Sequence, residues 1–270
     1  MTTFRQRVAR SRFAALAAFP YRIWAVIGYN ASVAWRSARW LVQSREHTNY
    51  TYELTSLNRE HLAWFVAELA GITPDTAREY MSELEDDAEF AAHVEAATLS
   101  HERRGLADST SHLHKRIGWY ALVRARRPAH VVETGTDKGL GSIALAAALL
   151  RNGTGRLTTF DVNPDSGYLI SGKYADVVTR ILGDSLKGLR DLDGPVEFFL
   201  HDSLHAVEHE WGELEAVAPI LAPDALVLSD NAHVSDVLPR WAESTGRRFS
   251  YFQERPKDHW YPGGGIGVAR

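Results

Sequence analysis

The sequence predicts an α/β fold built on a mainly parallel sheet of seven strands, with a helical region ahead of it. Three observations carry the prediction. From about residue 115 onward, short apolar segments alternate with helical ones, the pattern of βαβ units. A glycine-rich turn follows the first apolar segment and leads into an alanine-rich helix. Acidic residues stand at or just past the ends of several of these segments, where ligands of open parallel sheets bind.

At 270 residues the chain has room for one full core and an accessory region. The absence of cysteine excludes disulfides, thiolate nucleophiles and zinc–thiolate sites, and fits a cytoplasmic protein. Charge is unevenly spread. Residues 1–45 hold eight arginines (Arg5, Arg7, Arg10, Arg12, Arg22, Arg36, Arg39, Arg45) and no acid, so the whole-chain −4 leaves −12 for the rest. An acidic body argues against a nucleic-acid partner.

Three regions follow in order: a basic helical arm (1–48), a helical cap (49–114) and an α/β domain (115–270). In the arm, arginines alternate with Phe13, Leu16, Phe19, Trp24, Ile27, Trp35, Trp40 and Leu41, which predicts one or two amphipathic helices broken near Pro20. Arg22 and the short clean run from Ile23 to Trp35 argue against a membrane span, and Pro20 with Arg22 against a secretory signal. The arm is expected to pack on its own domain or on a second subunit in a homodimer; peripheral contact with an anionic membrane is the alternative.

In the cap, Asn58 is expected to start a helix carrying Leu62, Phe65, Val66 and Leu69 and ending at Gly71. Thr73-Pro74 opens a second helix, and the acidic stretch from Glu83 to Glu89 leads into a third. Strands are expected at 130–134, 157–161, 178–182, 196–201, 225–229, 249–253 and 265–269. Helices are expected from near Leu140, Pro164, Ser185, Val207 and Val234. The last two strands are joined by a loop and so can pair antiparallel.

The turn itself reads Glu133-Thr134-Gly135-Thr136-Asp137-Lys138-Gly139-Leu140-Gly141-Ser142. Its spacing is not that of the dinucleotide fingerprint, since Asp137 and Leu140 stand where the second and third glycines would be, and no phosphate-loop lysine pair is present. Alone, the turn leaves a nucleotide-like cofactor and a plain strand-to-helix connection both open. Beyond it stand Asp161, placed to accept from ribose hydroxyls; Asp184 followed by Ser185, placed for an adenine amino group; and Asp202. Each is also a good helix cap.

The Glu-x-Gly-x-x-x-Gly-x-Gly turn resembles the first motif of the Rossmann-like, class I methyltransferases that use S-adenosylmethionine. The segment Asp202-Ser203-Leu204-His205, the helix with Glu208, Glu213 and Glu215, and Ser229-Asp230-Asn231 resemble the divalent-metal-dependent O-methyltransferases, in particular the branch acting on macrolide sugars. Pro223-Asp224-Ala225 departs from that family's Pro-Gly-Gly turn. The resemblance implies cofactor contacts at Glu133, Gly135, Thr136, Gly139, Gly141, Ser142, Asp161, Asp184, Ser185 and Asp202. It implies a metal held by Asp202, Asp230 and Asn231, with His205 as the base.

The residue chemistry agrees. Two carboxylates and an amide suit Mg²⁺ or another hard divalent cation. A metal lowers the pKa of a poorly nucleophilic hydroxyl, and a neutral histidine can take the proton. Substrate contacts are expected from two flanking loops, at His112 and His114, and at His259, Trp260 and Tyr261, with His233 near the metal. The expected acceptor is a small molecule or oligosaccharide; a sugar hydroxyl, for instance on a mannoside, is preferred to a catechol. A non-catalytic scaffold of the same fold, held at a membrane by the arm, is the reading from a different class.

Overall fold

The computed structural model describes residues 9, 13–47, 49–110 and 112–270. Arg5, Arg7, Arg10, Arg12 and Ser111 lie outside the described residues. The chain divides into two compact units, residues 1–44 with 258–260, and residues 45–257 with 261–270.

In the first unit a short helical turn, Ala14–Ala17, precedes helix α1 (Phe19–Gln43). Pro20 sits in the first turn of α1, where its missing N–H costs nothing. Arg22, Ser32, Arg36, Arg39 and Gln43 share one side of α1, and Ile23, Trp24, Ile27, Leu41 and Val42 lie on the other. No residue of α1 is buried. Trp260 meets Trp40 edge-on at 5.4 Å. No helix among the described residues is long and apolar enough to cross a membrane.

The second unit begins its helices with α2 (Ser56–Ala70), α3 (Pro74–Glu85) and α4 (Ala88–Ser100). Thr55, not Asn58, caps α2, its Oγ1 accepting from the Asn58 N–H. Asn58 is buried instead. Its amide donates to Gln253 O (2.9 Å) and accepts from Arg255 N (2.7 Å), tying α2 to the far end of the chain. Gly71 ends α2 at φ +68°, while Thr73 and Asp87 cap α3 and α4. These helices share one core with α5 (Arg116–Arg126): Leu62, Val66, Met81 and Leu84 pack with Ile117, Trp119 and Leu122.

The α/β part follows as β1 (His130–Thr134), α6 (Leu140–Asn152), β2 (Arg156–Asp161), β3 (Val178–Leu182), α7 (Ser185–Arg190) and β4 (Val196–His201). It ends with α8 (Val207–Val217), β5 (Leu221–Ser229), α9 (Val237–Ser244), β6 (Phe249–Gln253) and β7 (Gly265–Ala269). The seven strands lie in the order β3-β2-β1-β4-β5-β7-β6. β7 runs antiparallel to both neighbours, and the β3-β2-β1-β4-β5 ladder is parallel. One face packs on α5 and α6, the other on α7, α8 and α9, around Phe199, Leu214, Val227 and Trp241. This is a Rossmann-like α/β architecture.

One expected element is missing. No helix forms from Pro164; residues 163–177 run as turns with a short 3₁₀ segment, Gly172–Asp176. The Gly167 N–H donates to Asp137 O and the Leu169 N–H to Lys138 O. The segment therefore spends its donors on the glycine-rich turn, and a helix would need them internally.

Candidate active site

The parallel ladder brings the carboxyl ends of β1, β2, β4 and β5 to one edge of the sheet, and the site is built there. Gly135 follows β1 at φ +88°, and a Cβ on it would lie 2.0 Å from the Asp202 carbonyl oxygen. Glycine is thus required by the neighbouring strand end as well as by the backbone angle. Gly139 caps α6 at φ +95°, so the chain turns sharply from strand to helix.

Glu133 is buried, and one of its carboxylate oxygens accepts from both Ser142 Oγ and Thr159 Oγ1. Burial, partly offset by these bonds, pushes its carboxyl up to about 7. Ser142 is fully buried and spent on that bond, while Thr136 Oγ1 pairs with Thr159 Oγ1 (2.7 Å). Gly141 lies against Glu133 and Trp119. These residues hold the turn in shape.

Two cavities meet at the turn and share Gly135, Asp137, Asp202 and Ser203. The first, about 400 Å³, is lined by Phe160, Asp161, Val162, Asp184, Ser185 and Leu204 among others. Asp161 accepts from the N–H groups of Asp137 and Asn163, both at 2.8 Å, which fixes its carboxylate at the rim. Asp184 caps α7 by accepting from Lys187 N, and Ser185 Oγ donates to Glu213.

The second cavity, about 300 Å³, holds Asp202, His205, Asp230 and Asn231, facing Tyr50, Tyr52 and Tyr261. Ligand atoms of Asp202, His205 and Asp230 all lie within 4.8 Å of one another. His205 Nε2 is 2.8 Å from Asn231 Nδ2 and 3.9 Å from Asp202 Oδ1. Burial lowers the His205 pKa, favouring the neutral imidazole that a base requires. Asp202 is raised well above the usual carboxylate range by burial and by the charge of Asp230. Burial works the same way on Asp230, but the Lys115 ammonium and a hydrogen bond from Asp202 outweigh it and hold Asp230 ionised.

Lys115 was absent from the expected site, yet its side chain reaches the cluster. Its ammonium pairs with Asp230 Oδ1 and lies 3.9 Å from Glu254 Oε2, all three side chains buried. Burial disfavours the ammonium, yet Asp230, Glu254 and Asp202 together keep it protonated. Two carboxylates, an imidazole and an amide at one point fit a hard divalent cation. Such an ion would meet Lys115 as a competitor for Asp230.

Glu213 on α8 was read only as a helix residue; it is fully buried and binds the site's underside together. It accepts from Thr134 Oγ1 (2.6 Å), Ser203 Oγ (2.8 Å), His201 Nδ1 (2.6 Å), Ser185 Oγ (2.5 Å) and His209 Nε2 (2.9 Å). These donors hold its carboxyl down to about 2 against burial. Glu210 accepts from Ser229 and Ser235 Oγ, both at 2.7 Å, which steadies the turn bearing Asp230. Asp202, Asp230 and His205 are therefore held in place by a buried carboxylate network that spacing along the chain does not reveal.

The expected substrate contacts separate. Tyr261 lines the second cavity and packs 5.5 Å from Tyr50. His114 is buried, with Nδ1 2.9 Å from Glu254 Oε1, and it shapes the cavity wall. Its Nε2 faces the Arg116 guanidinium, which only donates, so Nδ1 carries the proton. His112 is exposed beside a separate groove under α4. His233 turns to β7, its Nδ1 accepting from Gly265 N (3.1 Å). His259 and Trp260 fall in the other unit with α1.

Fold and site together define a Rossmann-like α/β domain with two adjoining cavities at the carboxyl edge of its sheet. A family model described as "Methyltransferase domain" matches residues 132–232. Solved structures share the fold. The cofactor-bound Rv0187 from MTB is 20% identical, with a TM-score of 0.52 over 68% of this chain and 89% of that one. The O-methyltransferase TomG from Streptomyces achromogenes, involved in tomaymycin synthesis and solved with S-adenosylmethionine, is 22% identical, with a TM-score of 0.51 over 66% and 88%. A methyltransferase from Geobacter sulfurreducens is 19% identical, with a TM-score of 0.50 over 66% and 88%. No curated protein matches the chain in sequence.

Proposed function

We propose that this protein is an S-adenosylmethionine-dependent O-methyltransferase that works with Mg²⁺ on a hydroxyl of a saccharide or glycosylated metabolite. The observation that carries the reading is the meeting of two cavities at Gly135, one rimmed by Asp161 and Asp184, the other by Asp202, His205 and Asp230. The adenosine of the methyl donor belongs in the first, with Asp161 accepting from ribose hydroxyls, Asp184 accepting from the adenine amino group, and Val162 and Leu204 offering apolar surface. That cofactor is also the one bound in the TomG structure.

The acceptor belongs in the second cavity, under Tyr50, Tyr52 and Tyr261, whose rings and hydroxyls suit a polyol. Asp202, Asp230 and Asn231 would hold the Mg²⁺, which when bound lowers the pKa of the acceptor hydroxyl. The acceptor oxygen bonds to the methyl carbon as the carbon–sulfonium bond breaks, and its proton passes to His205 Nε2. The products are a methyl ether and S-adenosylhomocysteine. The reaction needs mainly alignment, since the methyl group arrives already activated.

Calorimetric titration with S-adenosylmethionine and S-adenosylhomocysteine, with Mg²⁺ and with chelator, tests the reading. Micromolar binding of both, a further heat with Mg²⁺, and methyl transfer to a sugar acceptor are expected. Absence of binding under every condition would leave the scaffold reading standing.

A further inference from the structure

We infer that helix α1 is an anchor that embeds this protein in one leaflet of an anionic bilayer. The first support is its surface. Tyr21, Trp24, Val26, Ile27 and Tyr29 are each between 60% and 71% exposed. Along α1, Ile23, Trp24, Ile27, Leu41 and Val42 share one side, and Arg22, Ser32, Arg36, Arg39 and Gln43 the other. A basic helix with an exposed apolar side bearing tryptophan is the kind that lies in a membrane surface, its apolar side in hydrocarbon and its arginines among the headgroups.

The second support is where its polar groups go. Asn30 Nδ2 donates to Val26 O (2.8 Å), Ser32 Oγ to Tyr29 O (2.7 Å) and Ser37 Oγ to Val33 O (2.9 Å). Such bonds form in helices of every setting, and here they leave these groups satisfied without water when the helix meets lipid.

The third is charge and length. Arg22 precedes the uncharged run Ile23–Trp35, and Arg36 and Arg39 follow it. Aromatic rings mark both ends, Tyr21 and Trp24 at one and Trp35 and Trp40 at the other, as at membrane–water boundaries. The run is about 20 Å long at about 1.5 Å per residue. That is short of a hydrocarbon core of about 30 Å. The helix therefore lies along one leaflet without crossing, with Arg22, Arg36 and Arg39 on its headgroup side. The arm carries eight arginines and no acid through residue 45, whereas the rest carries −12. An anionic surface attracts the arm and repels the body, so the partner is a lipid surface rich in acidic headgroups such as phosphatidylglycerol.

The test is flotation of the full chain with vesicles of phosphatidylcholine alone and of phosphatidylcholine mixed with phosphatidylglycerol, following tryptophan emission. Binding to the mixed vesicles with a blue shift is expected. Ile27→Glu should abolish it, and Arg22→Gln and Arg39→Gln should each weaken it about fivefold. All three positions are exposed, so the variants should keep the wild-type circular dichroism spectrum. Failure to float, or equal binding by Ile27→Glu, overturns the proposal. So does a dimer in vesicle-free ultracentrifugation that Ile27→Glu converts to monomer, because a second copy would then be what covers α1.

Discussion

The Lys115 ammonium is bonded to the Asp230 carboxylate inside the cavity that also holds Asp202 and His205. A chain-borne cation thus occupies one ligand of the cluster best suited to a divalent ion. Breaking a buried pair leaves an uncompensated charge, which costs about 3–5 kcal/mol. Lys115→Met should lower the melting temperature in chelator, and Mg²⁺ should restore most of the loss. Thermal unfolding of both proteins with and without Mg²⁺ checks this; equal loss in both conditions would mean that no metal reaches Asp230.

Asp161 is fixed by two backbone N–H donors at the rim of the first cavity. Hydrogen bonds to a charged group contribute about 1.5–3 kcal/mol. Asp161→Ala should therefore weaken S-adenosylmethionine binding by about 10- to 100-fold, with Mg²⁺ or with chelator. Calorimetry separates this from Asp230→Ala, which should keep cofactor affinity and lose the metal heat.

His205 stands beside Asn231 and Asp202 in the acceptor cavity. Loss of a general base costs on the order of 10²–10⁴ in turnover. His205→Ala should show that loss with cofactor affinity unchanged. A rate within a few-fold of wild type would remove it from the chemistry.

His114 links the site to acid stability. Burial, with Arg116 adding to it, lowers its pKa from 6.5 to about 4. The unfolded chain therefore takes up a proton below about pH 6.5 while the folded chain stays neutral to about 4. The neutral imidazole's contribution is complete above 6.5 and is lost as pH falls through that window. At 1.36 kcal/mol per unit this is on the order of 3 kcal/mol. In His114→Gln the melting temperature should fall less between pH 6.5 and 4, as followed by circular dichroism.

Strand positions were legible because apolar runs bounded by glycine, proline and acid mark strand length directly. The 130–134, 178–182, 196–201, 249–253 and 265–269 segments form as expected, and Gly71 and Thr73 act as helix punctuation. The Pro164 helix was misread because its donors are claimed by Asp137 and Lys138, residues on another turn. Asn58 looked like a cap and proved to be a tie to Gln253 and Arg255 across the unit.

Within the site the same division holds. Local sequence determined which acids end which strands, and so placed Asp161, Asp184, Asp202 and Asp230 at one sheet edge. Only tertiary structure decided that Lys115, next to His114 in the first flanking loop, turns inward to Asp230. Only it decided that Glu213 collects five donors beneath the site and that Glu254 holds Lys115 and His114. The physical reason is that strand ends are set by short-range patterning. Burial of a charge is set by whichever opposite charge the fold brings alongside, and that partner can be a hundred residues away.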